Sequence, residues 1–264
     1  MDSLKLVLRI NAASCIVFGL LGILAPFEVA EFLGDPPVWV LQVTGAVLAV
    51  NGLHLILASL RKAARTLEIL YFSMGDLAWW LASVFLIAAN NWVTTLAGAI
   101  ATFGIAFGVA ALGVVQLWMI AIQTKRHSNA EHWVAIKNSY RSMPKWVFIW
   151  LCLLNIYFLM VVFFWPDRLA VVVLLGYVAT GPLLAAQIAF DGGLRRILGL
   201  AHLVPWVPLL IWLIMGFSQS FYAIGLIILL ALCLGFDVFD VWRFWRGDRS
   251  PFGQHQQKSG TAHT

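Results

Sequence analysis

The chain has 264 residues, of which 62% are hydrophobic and 11% are charged, and its mean hydropathy is +0.89. Soluble domains are about half apolar and about a quarter charged, so this composition excludes a soluble globular domain. The net charge of +5 would suggest an acidic partner for a soluble protein, but in a membrane protein the positions of the positive charges matter more. We therefore expect the lipid bilayer as the main partner and no nucleic acid.

Eight apolar segments have the length of about 20 residues that a helix needs to cross a bilayer. They cover approximately residues 8–26, 39–60, 66–89, 93–122, 146–165, 169–190, 197–217 and 221–243. Short polar connections separate several of them, which favours antiparallel helices packed side by side. The sequence therefore predicts an all-α membrane protein with eight transmembrane helices. The first segment has no A-x-A-like cleavage site after it, so we expect a retained helix and not a signal peptide.

A long polar stretch, Gln123–Lys145, divides the eight segments into four and four. We predict four regions along the chain: a first four-helix bundle over 1–122, a basic cytoplasmic loop over 123–145, a second four-helix bundle over 146–246 and a disordered tail over 247–264. The tail is rich in Gln, Gly and Ser, a composition typical of disordered segments.

Basic residues mark alternate connections, and positively charged loops remain on the cytoplasmic side of a membrane. They precede the first segment, lie between the second and third, fill the central loop, lie between the sixth and seventh and follow the eighth. Only Arg168 falls on the other side. The pattern predicts that both termini are cytoplasmic.

Asp76 lies inside the third segment, about 16 Å along a helix axis from Arg65. Charged groups inside a membrane are costly, so one interpretation is a carboxylate that titrates protons or binds a ligand. The alternative is a packing group that is hydrogen-bonded to an amide or hydroxyl of a neighbouring helix.

Three more ionisable residues, His54, His202 and Asp237, lie about 9 to 10 Å inside the helix ends that are predicted to be cytoplasmic. The polar side chains of Asn11, Gln116 and Gln187 belong to the same half of the membrane. These residues could line a polar pocket open to the cytoplasm, or they could form separate interhelical hydrogen bonds. Pro205 and Pro208 each remove a helical hydrogen bond near His202, which favours a kinked, cavity-lining helix.

Two histidines at similar depth raise the alternative that His54 and His202 hold haem b, or that the pocket holds quinone. Asp237 could instead pair with His202 and fix its tautomer.

Asp240 precedes Arg243 by three residues, a spacing that predicts an ion pair within one helix. No metal site is predicted, because the three cysteines lack ligand-like spacing and are interpreted as buried apolar residues.

No sequence motif specifies a reaction. The chain lacks a Walker loop, a dinucleotide fingerprint, an HExxH motif and a nucleophile elbow in a usable context. We therefore expect no catalytic residue. In the fourth segment, Ala97-x-x-x-Ala101 and Gly104-x-x-x-Gly108 predict close helix packing within the first bundle, with dimerisation as the alternative.

The first half also carries short motifs of a known family, at Leu8–Ser14, Gly19–Gly22, Pro26 and Phe32–Gly34. Over residues 4–125 it resembles the DoxX-like four-helix membrane proteins of bacteria. That resemblance implies a four-helix fold unit in the bacterial inner membrane and assigns no catalytic residue. A few members of the family are linked to quinone-coupled sulfur oxidation.

Three functions remain open at this point. The first is non-enzymatic binding, transport or scaffolding of a small or lipidic ligand or of a membrane protein partner, with Asp76, His202, Asp237, His54 and Asn11 as candidate ligand-binding residues. The second is a redox subunit that binds haem or quinone. The third is a proton-coupled carrier in which Asp76 is the titrating group.

Overall fold

The structure is a computed structural model that describes residues 2–125, 128–216 and 220–248. Within these residues it contains helices and no strands, and eight helices are long and apolar enough to cross a membrane. The predicted eight-helix, all-α membrane fold is therefore confirmed. Of the predicted tail, residues 249–264 lie outside the described residues, and its disorder stays a prediction.

Ten α-helices make up the described chain. Their bounds are α1 Asp2–Leu24, α2 Pro26–Leu33, α3 Val38–Leu60, α4 Thr66–Ala89, α5 Leu96–Lys125, α6 Asn129–Arg141, α7 Lys145–Leu159, α8 Arg168–Asp191, α9 Leu200–Gly216 and α10 Phe221–Trp245. Short 3-10 segments, Met160–Phe164 and Arg196–Gly199, extend α7 and precede α9. All helices except α2 and α6 belong to the eight candidate spans.

Helix α6 lies within the central polar stretch, where no helix was predicted. Its start is fixed by a capping box: the Ser128 side chain accepts a hydrogen bond from the backbone N–H of Glu131, and the Glu131 carboxylate accepts one from the Ser128 N–H. The buried face of α6 carries His132, Ile136 and Ser139. The Ser128-x-x-Glu131 spacing is the sequence signature of such a start, so this helix was recognisable.

The chain divides into two compact units, Met1–Thr124 and Lys125–Thr264. In the first unit, α1 and α3 approach each other at backbone distance. A Cβ added to Gly19 would lie 2.8 Å from the Gly45 carbonyl oxygen, and one added to Gly45 would lie 2.6 Å from the Gly19 carbonyl oxygen. Only glycine fits at this crossing, as is common where membrane helices touch closely.

The second unit is built around aromatic side chains. Phe158 of α7 packs against Tyr177 of α8 and Trp206 of α9, with ring centroids 5.2 and 5.0 Å apart. Tyr157 stacks on Tyr222 of α10 at 5.2 Å. These contacts join α7, α8, α9 and α10 in one core.

Large apolar side chains on the outer faces of the helices are exposed, for example Phe163 at 86% and Phe221 at 93%. Tryptophans near helix ends, including Trp39, Trp146 and Trp245, are exposed as well. Soluble proteins rarely expose so much apolar surface, whereas lipid-facing helices must.

The packing role predicted for Gly104 and Gly108 is wrong within the described residues. Both glycines are exposed on α5, and a Cβ added to either would meet nothing within 4 Å. The close approach uses Gly113 instead, where an added Cβ would lie 3.0 Å from the Asp76 Cβ. The i, i+4 spacing places the two glycines on one face of α5, but it does not show whether that face packs against another helix.

Candidate functional site

Asp76 is the centre of a buried polar cluster in the first unit. Its Oδ2 accepts hydrogen bonds from Asn11 Nδ2 at 2.8 Å and from Gln116 Nε2 at 3.0 Å. Asn11 lies on α1, Asp76 on α4 and Gln116 on α5, so one carboxylate oxygen connects three helices. All three side chains are buried, with Asp76 at 4% exposure.

The same cluster contains acceptors that are not satisfied. Asp76 Oδ1 accepts no hydrogen bond from the described residues, and no cation pairs with the carboxylate there. Gln116 Oε1 and Ser73 Oγ are buried without a hydrogen-bond partner in the described chain. Unpaired buried acceptors are unfavourable, so the cluster has capacity for a proton, a water molecule or a small cation.

Close packing of α4 against α5 holds the cluster in place. The Gly113 backbone lies directly against Asp76, and a Cβ added to Gly113 would also lie 3.2 Å from the Ser73 carbonyl oxygen. On α1, the side-chain oxygen Oδ1 of Asn11 accepts only a weak hydrogen bond, 3.8 Å long, from the Cys15 thiol. The amide of Asn11 is therefore oriented mainly by its bond to Asp76.

His54 forms a different group, at one end of the first unit. Its Nε2 lies 2.9 Å from Oε1 of Glu68, and Glu68 also pairs with Arg61. The His54 ring packs edge-on against Phe72 with centroids 4.8 Å apart. Glu68 is eight residues from Asp76 on α4, about 12 Å along the helix axis, with Phe72 midway.

An open cavity of about 560 Å³ lies beside this group. It is lined by His54, Arg65, Thr66, Leu67, Glu68 and Tyr71. The Arg65 guanidinium is exposed and forms no ion pair with the described residues. Leu67 and Tyr71 are 81% and 59% exposed and supply apolar surface.

In the second unit, His202 and Asp237 form a pair. His202 Nδ1 lies 3.2 Å from Oδ2 of Asp237, and the two side chains are only 15% and 16% exposed. Trp206, one turn further along α9, stacks on the His202 ring at 4.4 Å with an interplanar angle of 16°. The Cys233 thiol, one turn before Asp237 on α10, lies 3.8 Å from the same Oδ2.

The predicted ion pair between Asp240 and Arg243 is wrong. Asp240 pairs instead with Arg196, at 2.5 Å, and Arg243 pairs with Asp248 at 2.9 Å. Arg196 also reaches Asp248 at 3.1 Å. A spacing of three residues allows an intrahelical pair, but the 3-10 segment before α9 brings a second arginine closer to Asp240.

The candidate residues thus fall into three groups. Asn11 and Asp76 are in direct contact, His54 is paired with Glu68 in the same unit, and His202 is paired with Asp237 in the other unit. Haem ligation by His54 and His202 stays a prediction. Glu68 and Cys233 were not among the predicted site residues. The i, i+4 spacing of Cys233 and Asp237 was the available signal for Cys233.

Comparison with known proteins adds no assignment. No protein-family model, no curated protein and no solved structure matches the chain.

Proposed function

We propose that this multi-pass membrane protein binds, without catalysis, a small amphipathic ligand that has an anionic headgroup. The observation that carries the proposal is the open cavity beside His54 and Glu68. It is an open surface cleft of about 560 Å³ and not an enclosed pocket, so it fits a headgroup held at the surface of the first unit.

The charges around the cavity support an anionic headgroup. Glu68, the one carboxylate among the described lining residues, is already paired with His54 and Arg61. Arg65 has no such partner among the described residues, so its guanidinium is available. A guanidinium presents parallel N–H donors that fit a carboxylate or a phosphate. The exposed Leu67 and Tyr71 would contact the apolar part of the ligand.

Binding of defined lipids tests this proposal. The purified protein in detergent is titrated with a fluorescent single-chain lipid that carries a phosphate headgroup, and with its zwitterionic counterpart. We expect preference for the phosphate lipid, and about tenfold weaker binding to Arg65→Gln, since hydrogen bonds to charged groups contribute about 1.5–3 kcal/mol. Lys62→Gln is the matched control: it removes a nearby charge that does not line the cavity. Equal affinity for both lipids, or equal loss in both variants, would contradict the proposal.

A second candidate function is proton or cation coupling at Asp76. The unsatisfied oxygens of Gln116 and Ser73 beside the Asp76 carboxylate favour it, because an uncompensated carboxylate inside a membrane is costly. Infrared difference spectra recorded between two pH values should show a carboxylic-acid band that Asp76→Asn removes. A spectrum unchanged by Asp76→Asn would exclude titration of this residue.

We also propose a bacterial inner membrane with both termini in the cytoplasm. The alternation of basic and non-basic connections supports this orientation, and the DoxX-like motifs support the bacterial membrane. A fluorescent protein that matures only in the cytoplasm, fused after Thr264, should be bright. A dark fusion, together with activity of a periplasmic phosphatase at the same position, would reverse the orientation.

A further inference from the structure

We propose that His202, Cys233 and Asp237 in the second unit form a binding site for a divalent transition-metal ion of the zinc type. The site is independent of the cavity in the first unit. One ligand atom from each of the three residues lies within 4.8 Å of the others. Imidazole, thiolate and carboxylate are the three side-chain groups that zinc prefers.

The distances fit a single ion. Tetrahedral bonds of about 2.0–2.3 Å place ligand atoms roughly 3.3–3.8 Å apart. His202 Nδ1 and Cys233 Sγ lie 3.2 and 3.8 Å from Asp237 Oδ2. The ligand atoms of His202 and Cys233 lie within 4.8 Å of each other, so an ion between the three residues requires side-chain rotation that brings this pair closer.

The charges also fit. A thiolate, a carboxylate and a neutral imidazole sum to two negative charges, which a divalent ion neutralises, so the loaded site carries no net charge within apolar surroundings. Arg196, in the 3-10 segment before α9, is itself paired with Asp240 and Asp248. Binding displaces the proton of the Cys233 thiol, while the neutral His202 ring carries its proton on Nε2 and coordinates through Nδ1.

Neighbouring residues hold the three ligands in position. Cys233 and Asp237 are one turn apart on the same face of α10. Gly199 packs directly on Asp237, where an added Cβ would lie 2.9 Å from the Asp237 Cβ. The stacked Trp206 ring fixes the plane of His202. Three protein ligands leave one coordination position for water or another molecule.

Cobalt(II) is the probe that tests the site, because a thiolate bound to Co²⁺ gives a charge-transfer absorption that imidazole and carboxylate ligands alone do not. Full-length protein in detergent, reduced and stripped of metal, is titrated with Co²⁺ and then with Zn²⁺. We expect one Co²⁺ per chain, a thiolate band, and loss of the band on addition of one equivalent of Zn²⁺. His202→Ala should weaken binding at least tenfold.

A variant that leaves the site intact identifies the thiol. The protein has three cysteines, so the double variant Cys15→Ala/Cys152→Ala keeps Cys233 alone. We expect it to retain the full thiolate band, and this result does not depend on whether Cys233 variants fold. Absence of the band in the wild-type protein, or its loss in the double variant, would overturn the proposal.

Discussion

Asn11 Nδ2 donates a 2.8 Å hydrogen bond to Oδ2 of Asp76, which joins α1 to α4 inside the first unit. Asn11→Ala should therefore destabilise the protein by about 1–2 kcal/mol, because it removes a donor from a buried carboxylate. Thermal unfolding in detergent measures the effect. Asn51→Ala is the control: its side chain is half-buried and makes only a 3.7 Å contact to Cys15. An equal loss of thermal stability in both variants would contradict a special role for the Asn11–Asp76 hydrogen bond.

Gly113 allows α5 to approach Asp76, whereas Gly108 faces open space. Gly113→Ala should lower stability by about 1–3 kcal/mol through overpacking. Gly108→Ala on the same helix should be neutral or slightly stabilising, since alanine is the better helix former. The comparison uses unfolding temperatures of the two purified variants. A stable Gly113→Ala protein would show that α4 and α5 are not in close contact there.

Gly199 is required for the packing of the 3-10 segment on α10. An added Cβ would lie 3.0 Å from the Asp237 Cα and from its carbonyl oxygen, and backbone atoms cannot move aside as a side chain can. Gly199→Ala should therefore destabilise the protein by about 1–3 kcal/mol. Gly235→Ala on α10, where an added Cβ meets nothing within 4 Å, should have little effect. The opposite order of stabilities would contradict this arrangement.

The capping box at Ser128 determines where α6 begins. Ser128→Ala should cost about 0.5–2 kcal/mol of local stability, because the Glu131 N–H loses its acceptor. Hydrogen exchange of the amides in the first turn of α6 should accelerate. Asn138→Ala, at an exposed position of the same helix, should leave exchange of that turn unchanged. Equal exchange rates in wild-type protein and Ser128→Ala would show that the cap does not hold the helix.

The eight spans were predictable because each is a continuous apolar run of sufficient length, and lipid-exposed backbone must be helical. The contacts of Asp76 could not be predicted from the sequence. Its depth followed from residue counting, but whether Asn11 and Gln116 face it depends on the rotation of α1 and α5. Helices that are apolar on all sides carry no periodic signal for that rotation.

The same limit explains the errors at Gly104, Gly108 and Asp240. Spacing along one helix shows which residues share a face, but not which neighbour that face meets. Gly113 and Arg196 were identified only once the packing of separate segments was known. By contrast, the pairing of His202 with Asp237 was offered from their matching depth, and the structure contains it.

Native mass spectrometry of the gently extracted protein tests the central claim most directly, because it reads bound mass and stoichiometry together. The account predicts one adduct of the mass of an anionic lipid per chain. That adduct should persist in Lys62→Gln and be largely lost in Arg65→Gln. A chain that carries no adduct, or an adduct of haem or quinone mass, would contradict the account.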